Sequence, residues 1–152
     1  MAVSLTFVEK SFDALTTNEL YALLQLRAEV FVVEQDCVYQ DVDGKDQKAI
    51  HVLGYKDHDL VAYTRIFRPG DYFKQASIGR VVVRKNERQH KYGYQLMQHS
   101  IAVILHQFNE ADIKISAQTY LEKFYNNLGF KETGDRYLED GIPHMAMLYQ
   151  AS

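Results

Sequence analysis

Residues 81–97 read Val81-Val82-Val83-Arg84-Lys85-Asn86-Glu87-Arg88-Gln89-His90-Lys91-Tyr92-Gly93-Tyr94-Gln95-Leu96-Met97. The apolar start predicts a strand and the end begins the 3.6-residue period of a helix, so a polar loop joins the two. Such a turn presents backbone N–H groups at the positive end of a helix dipole, which favours an anion such as a pyrophosphate. Gly93 would let the backbone approach that anion closely. An ordinary strand-to-helix loop is the alternative, and the loop alone leaves both open.

The pattern after this stretch predicts a strand parallel to the first. Leu96, Met97, Ile101 and Ile104 continue the helical period, and residues 113–117 form a short β-rich run. A strand, a helix and a strand in this order indicate a parallel pair. A last helix over 121–128 ends at Gly129 as a C′ glycine, and two strands follow, near Phe130 and at 145–148.

The pattern before this stretch predicts a strand, a helix and a meander. Leu5 and Phe7 suggest the first strand, and Thr16 with Glu19 forms a capping box that opens the helix. Residues 50–55 and 60–67 then predict an antiparallel hairpin with the four-residue loop 56–59, and a third strand covers 78–83. Together the elements predict an α/β (α+β) fold with a mixed sheet, built as a single domain over residues 1–152.

Composition makes several functional classes less favourable. The chain has 152 residues, of which 47% are hydrophobic, so it can bury a core without disulfides or metals. Lysine and arginine number 17 against 20 acidic residues, which argues against nucleic acid as a partner. Cys37 is the only cysteine, which fits a reducing cytoplasm, and no apolar run reaches membrane-spanning length. We therefore expect a cytoplasmic protein with no membrane partner.

The spacing Arg88-x-x-Lys91-x-Gly93 resembles the acetyl-CoA motif Q/R-x-x-G-x-G/A of the GNAT superfamily of N-acetyltransferases. This resemblance implies a mostly antiparallel sheet of six to seven strands flanked by about four helices, with acetyl-CoA as co-substrate. The backbone of Val81 and Val83 would pair with the pantetheine arm. The departure from the motif is Lys91, which replaces its middle glycine. The loop amides implied to hold the pyrophosphate belong to Arg88, Gln89, His90, Lys91, Gly93 and Tyr94.

A second segment, Phe124-Tyr125-Asn126-Asn127-Leu128-Gly129-Phe130, also resembles the superfamily. There an F-Y-x-x-x-G-F helix end places the tyrosine hydroxyl near the cofactor sulfur, which implies that Tyr125 protonates the departing thiolate as a general acid. The alternative is an amphipathic core tyrosine. Residues 26–35 and 139–144 are similar to the ElaA-like branch of the superfamily. The expected reaction is direct attack of a neutral primary amine, of a small molecule or a peptide, on the thioester.

This reaction needs a base and a donor for the oxyanion. Glu34, Glu139 and His144 are the candidate bases, and the sequence does not choose among them. The backbone N–H of Val83 or a neighbour would stabilise the oxyanion, as the resemblance implies. His51 alternates with apolar residues on a predicted strand, so we expect it to be exposed.

Charged residues elsewhere allow further interpretations. Arg27 and Arg65 interrupt apolar patterns, so each orients a ligand carboxylate, bridges to the acidic loop or forms a buried ion pair within the fold. The acidic loop 35–46 is expected to flank the acceptor cleft and to favour a cationic acceptor. Asp41-x-Asp43 resembles a calcium loop, but its glycine comes too early and Val52 occupies the twelfth position, so we expect no metal.

Two other functions stay open at this point. The domain could bind acyl-CoA without turning it over, as a sensor or interaction module, since Lys91 alters the loop. An RNA-binding module would need exposed aromatic residues beside basic ones, and Tyr63, Arg65 and Phe67 share one strand face. We also expect a homodimer that pairs through an edge strand at residues 145–149.

Overall fold

The computed structural model describes residues 5–109 and 112–150. Its described residues form a seven-stranded sheet in the order β1-β2-β3-β4-β5-β7-β6. All neighbouring strands are antiparallel except β4 and β5, which are parallel, so the predicted mixed, mostly antiparallel sheet is confirmed. The strands are β1 (Thr6–Ser11), β2 (Ile50–Lys56), β3 (Asp59–Phe67), β4 (Ala76–Val83), β5 (Asp112–Gln118), β6 (Phe130–Glu139) and β7 (Ile142–Gln150).

Three α-helices flank this sheet in the described part of the chain: α1 (Thr17–Arg27), α2 (Tyr92–Gln107) and α3 (Glu122–Asn127). The predicted capping box begins α1, because Glu19 N donates to Thr16 Oγ1 at 3.1 Å and Thr16 N donates to Glu19 Oε1 at 2.8 Å. A π-helical segment, Ala28–Glu34, continues α1. No helix among the described residues is long and apolar enough to cross a membrane.

The helices cover both faces of the sheet. Side chains of α2 and α3 pack in one apolar cluster with β2 to β7, while those of α1 and its π-helical continuation pack in a second with Leu53, Tyr63 and Val82. The central strands β2 and β3 are therefore buried almost along their whole length. Tyr63, Arg65 and Phe67 lie inside this core, so they present no exposed face on which bases could stack, and the feature that suggested RNA binding is absent at these residues.

Two local expectations need correction. The β2–β3 hairpin turns through residues 57–58 alone, because Lys56 and Asp59 still pair and Asp57 adopts a positive φ of 57°. Strand β7 is not a sheet edge, since it pairs with β5 on one side and with β6 on the other. The homodimer stays a prediction, but an edge-to-edge pairing of this sheet would have to use β1 or β6.

The sheet opens between its two parallel strands. Strands β4 and β5 pair only at Ala76 with Ile113 and at Ser77 with Lys114. Beyond these residues the strands diverge, while β5 keeps pairing with β7 as far as Gln118. Helix α2 connects β4 to β5 and begins where β4 ends, so its N-terminus faces the opening.

Candidate active site

The opening between β4 and β5 forms a cleft of about 470 Å³. Strand β4, the loop before α2, the end of β5, helix α3, the π-helical segment and the β6–β7 turn all contribute to its walls. Its lining includes Val81, Val83, Arg88, Lys91, Gly93, Tyr94, Tyr125, Glu34, Glu139 and His144 from the predicted site. Gln89 and His90 belong to the same loop but do not line the cleft.

A bulge in β4 shapes one wall. Thr64 of β3 lies opposite both Arg80 and Val81, and Arg80 adopts a positive φ of 50°. After the bulge the ladder resumes, and Arg84 N donates to Val61 O at 2.8 Å. Backbone groups alternate in direction along a strand, so those of Val81 and Val83 point away from β3 and toward the cleft. This arrangement fits the predicted pairing with an extended pantetheine arm.

Lys91 has a left-handed backbone conformation, which accounts for the middle glycine of the acetyl-CoA motif at this position. A 3₁₀ turn, Lys85–His90, ends at Lys91, which lies in the left-handed region at φ 60° and ψ 28° and immediately precedes α2. This conformation costs a side-chain-bearing residue about 1–2 kcal/mol and costs glycine little. The loop therefore keeps its geometry despite the substitution, and the Lys91 side chain is exposed.

We expect Lys91→Gly to leave the free energy of unfolding within about 1 kcal/mol of the wild type, because relieved strain offsets the greater entropy of glycine. Lys91→Val should have a free energy of unfolding about 1–2 kcal/mol below that of Lys91→Gly, since a β-branched residue tolerates a positive φ poorly. Urea denaturation of both variants measures the difference. Lys85→Val, in the same loop at a position without positive φ, is the matched control. Equal free energies of unfolding of Lys91→Gly and Lys91→Val would contradict the left-handed conformation of residue 91.

Gly93 has a packing role beyond the approach to phosphate. A Cβ atom at Gly93 would lie 3.3 Å from two ring carbons of Phe124, so the glycine lets α2 and α3 meet closely. Asn127 Nδ2 also donates to the Tyr94 hydroxyl at 3.2 Å across the same helix pair. These contacts join the two segments that resemble the superfamily.

Arg88 ties Glu34 to the end of β4. Its guanidinium binds both carboxylate oxygens of Glu34, one at 2.9 Å, and its Nε donates to Val83 O at 3.0 Å. Arg88 thus holds both oxygens of Glu34 in this conformation. The backbone carbonyl of Val83 is likewise occupied in this conformation.

Tyr125 lies in the cleft wall with only 5% of its surface exposed. Its ring makes edge contacts with Phe124 and Phe130, with centroid distances of 5.0 and 5.9 Å. Burial raises the pKa of the Tyr125 hydroxyl above its ordinary value. The hydroxyl is thus protonated throughout the neutral range, as an acid for a departing thiolate must be.

His144 and Glu139 also line the cleft and contact each other. The main-chain oxygen of Ile142 lies 2.7 Å from Nδ1 of His144 and can only accept a hydrogen, so it fixes Nδ1 as the protonated nitrogen of neutral His144. The remaining nitrogen, Nε2, then carries a lone pair and lies 3.4 Å from Glu139 Oε2.

Ser116 and Tyr137 complete this cluster, and sequence reasoning missed both. The Ser116 hydroxyl is hydrogen-bonded to the Tyr137 hydroxyl and donates to Glu139 Oε1 at 3.3 Å. Ser116 alternates with buried Ile115 and Ala117 on β5, so the two-residue period could have placed it on a polar face. No alternation of buried and exposed residues singles out Tyr137, because β6 is exposed almost throughout.

The acidic loop does not present free charge to the cleft. Arg27 binds Asp41 and Asp46 at 2.9 and 2.8 Å, and Arg65 binds Asp43 and Asp46 at 2.6 and 3.0 Å. Three carboxylates thus meet three guanidinium groups, since Arg80 binds Asp41 at 2.7 Å. Asp41, Asp43 and Asp46 are therefore compensated within the fold, and the two buried arginines are structural ion-pair partners. The cationic acceptor stays a prediction.

Burial alone would raise the pKa of Asp46, but hydrogen bonds from Arg27 and Arg65 outweigh it, so its pKa lies below its ordinary value. His51 joins the same cluster, because its ring nitrogens contact the Tyr63 hydroxyl and Asp46 O. The expectation that His51 is exposed is wrong: β2 is covered on both faces, the side chain is buried, and burial lowers its pKa.

Two contacts cross the part of the cleft between the loop after the π-helical segment and the β6–β7 turn, which we call its acceptor side. The amides of Gln35 and Gln118 bond reciprocally at 3.3 and 3.4 Å, and the Cys37 thiol donates to Asp140 O at 3.3 Å. They hold the loop after the π-helical segment against β5 and the β6–β7 turn. Cys37 thus acts as a packing thiol, in line with the passive role predicted for it.

A family model described as an acetyltransferase (GNAT) domain matches residues 14–151. The chain belongs to the GNAT family. Its mostly antiparallel seven-stranded sheet flanked by helices is thus a GNAT acyltransferase fold, as the resemblance implied.

Similar proteins refine this placement within the GNAT family. Protein ElaA of Escherichia coli K12 is 44% identical over 135 residues, which cover 88% of each chain. The crystal structure of E. coli ElaA superposes with a TM-score of 0.89 at 40% identity and covers 96% of this chain and 99% of that one. An acyl-CoA N-acyltransferase from Pseudomonas aeruginosa gives the same TM-score and identity, over 95% and 99%. The chain is therefore an ElaA-like member of the family.

Proposed function

We propose that this protein is an acetyl-CoA-dependent N-acetyltransferase that acetylates a primary amine, and that it works in the cytoplasm, as its single cysteine suggests. The observation that carries the proposal is the buried Tyr125 hydroxyl in a cleft whose other wall is the outward-facing backbone of Val81 and Val83. The GNAT family and the similarity to an acyl-CoA N-acyltransferase support acyl transfer from a thioester.

In the proposed reaction the amine nitrogen attacks the thioester carbonyl carbon, a C–N bond forms and the C–S bond breaks. His144 is the best placed of the three candidate bases, because it lines the cleft, Ile142 O holds its Nδ1, and its Nε2 lies 3.4 Å from the Glu139 carboxylate. The thiolate takes its proton from Tyr125. A backbone N–H near the β4 bulge, that of Val83 or a neighbour, would donate to the oxyanion.

We expect the purified protein to bind acetyl-CoA and to release free thiol when a primary amine is added. Calorimetry measures the binding, and a thiol reagent measures the release with a panel of small amines and peptides. Mass spectrometry should show one acetyl group on the consumed amine. Tight binding without turnover of any amine would instead favour an acyl-CoA sensor, and absence of binding would refute the proposal.

A further inference from the structure

The cationic side chains that line the cleft are already engaged or lie on the phosphate loop. Arg88 is bound to Glu34 through both carboxylate oxygens. Arg80 is held by the carboxylate and the main-chain oxygen of Asp41, at 2.7 and 2.9 Å. Lys91 immediately precedes α2, on the side where phosphates are expected. Among the described residues the acceptor side of the cleft therefore offers no arginine or lysine to receive a substrate carboxylate.

Two carboxylates on the acceptor side, those of Glu139 and Asp140, have no arginine or lysine partner among the described residues. Within residues 5–109 and 112–150, neither Glu139 nor Asp140 forms an ion pair with a lysine or arginine. Both line the cleft at the turn between β6 and β7, and the nearest partner of Glu139 is the ring of His144. Among the residues that line the cleft, the negative charge without a lysine or arginine partner thus comes from this turn.

From this charge distribution we propose that the acceptor is a primary amine without a carboxylate, whose ammonium is drawn to Glu139 and Asp140 before His144 removes a proton. The proposal rests on the proposed acetyl transfer and adds a specificity rule to it. A free α-amino acid would bring its own carboxylate against this turn with no guanidinium to receive it. Because like charges repel, amino acids should bind less well than the corresponding amines.

Apolar side chains offer a surface for the body of this amine. Phe31 from the π-helical segment, Tyr39 from the following loop and Ile142 from β7 all line the cleft. The contact of Cys37 with Asp140 brings that loop against the β6–β7 turn, so these apolar groups and the carboxylates lie on one side. An aromatic amine such as tyramine satisfies both features and is a suitable probe.

The test compares amines with their parent amino acids, which differ only by the carboxylate. The pairs are tyramine with tyrosine, phenylethylamine with phenylalanine, and agmatine with arginine. We expect kcat/KM for each amine to exceed that for its parent by at least about tenfold. In Glu139→Gln this ratio should fall severalfold toward one, and Asp140→Asn, which touches no proposed proton-transfer group, should lower it as well. Tyr149→Phe is the control and should leave the ratio unchanged.

Calorimetric titration of each pair into the protein saturated with free CoA provides a second readout that does not depend on turnover. Tighter binding of the amine than of the amino acid supports the proposal even where catalysis is slow. Equal or tighter binding of the amino acid, or binding of neither, overturns it. Failure of acetyl-CoA itself to bind is a different result, because it refutes the proposed acetyl transfer before any acceptor is added.

Discussion

Tyr125→Phe is expected to reduce the turnover of acetyl-CoA with a primary amine by about 100-fold or more, the usual contribution of a positioned proton donor. The substitution removes one oxygen atom and keeps the ring in its contacts with Phe124 and Phe130, so the fold should persist. Cofactor affinity should change little, because the proposed binding groups lie on β4 and on the loop before α2. Steady-state thiol release and calorimetry with acetyl-CoA measure the two effects separately.

Tyr149→Phe makes the same chemical change outside the cleft, on a ring that also packs against Phe130 at 5.5 Å. This control should keep kcat within about twofold of the wild type, since surface hydroxyl changes are usually small. If Tyr125→Phe kept kcat within threefold, Tyr125 would be a core tyrosine after all. A loss confined to acetyl-CoA affinity would assign it to binding and not to proton donation.

Local patterns predicted most of the fold because each depends on residues close in the chain. The capping box at Thr16 and the C′ glycine at Gly129, with φ 103°, are of this kind. The parallel pairing of β4 and β5 followed from the helix between them. The hairpin turn was predicted too long because Lys56 and Asp59 have low strand propensity, yet pairing with the opposite strand extends both strands.

The residues of the candidate site also fall into those that a local motif located and those that only the fold brings together. The phosphate loop and Tyr125 lie in contiguous motifs, so their resemblance to the superfamily located them. The sequence left open whether Arg27 contacts a ligand or forms an ion pair within the fold. The outcome depends on Asp41 and Asp46, which lie across a long loop from Arg27. The cluster of Ser116, Tyr137, Glu139 and His144 is assembled by pairing among β5, β6 and β7, which no local pattern encodes.

Arg27→Met is expected to lower the free energy of unfolding by about 3–5 kcal/mol at pH 7. Arg27 is fully buried, and its removal leaves the cluster with two arginines for three aspartates, so one buried negative charge is uncompensated. Urea denaturation measures the change. Arg136→Met is the matched control, because its pairs with Glu122 and Glu132 are exposed and their loss should change the free energy of unfolding far less.

The pH dependence of this loss separates charge from packing. In the wild type the lowered pKa of Asp46 contributes stability that is fully present above the unfolded value near 4, so that contribution is constant between pH 7 and 5. In Arg27→Met the uncompensated carboxylate should have a raised pKa, so the folded variant takes up a proton as the pH falls and regains stability. The difference between the two proteins should therefore shrink toward pH 5, whereas a loss of packing alone would leave it constant.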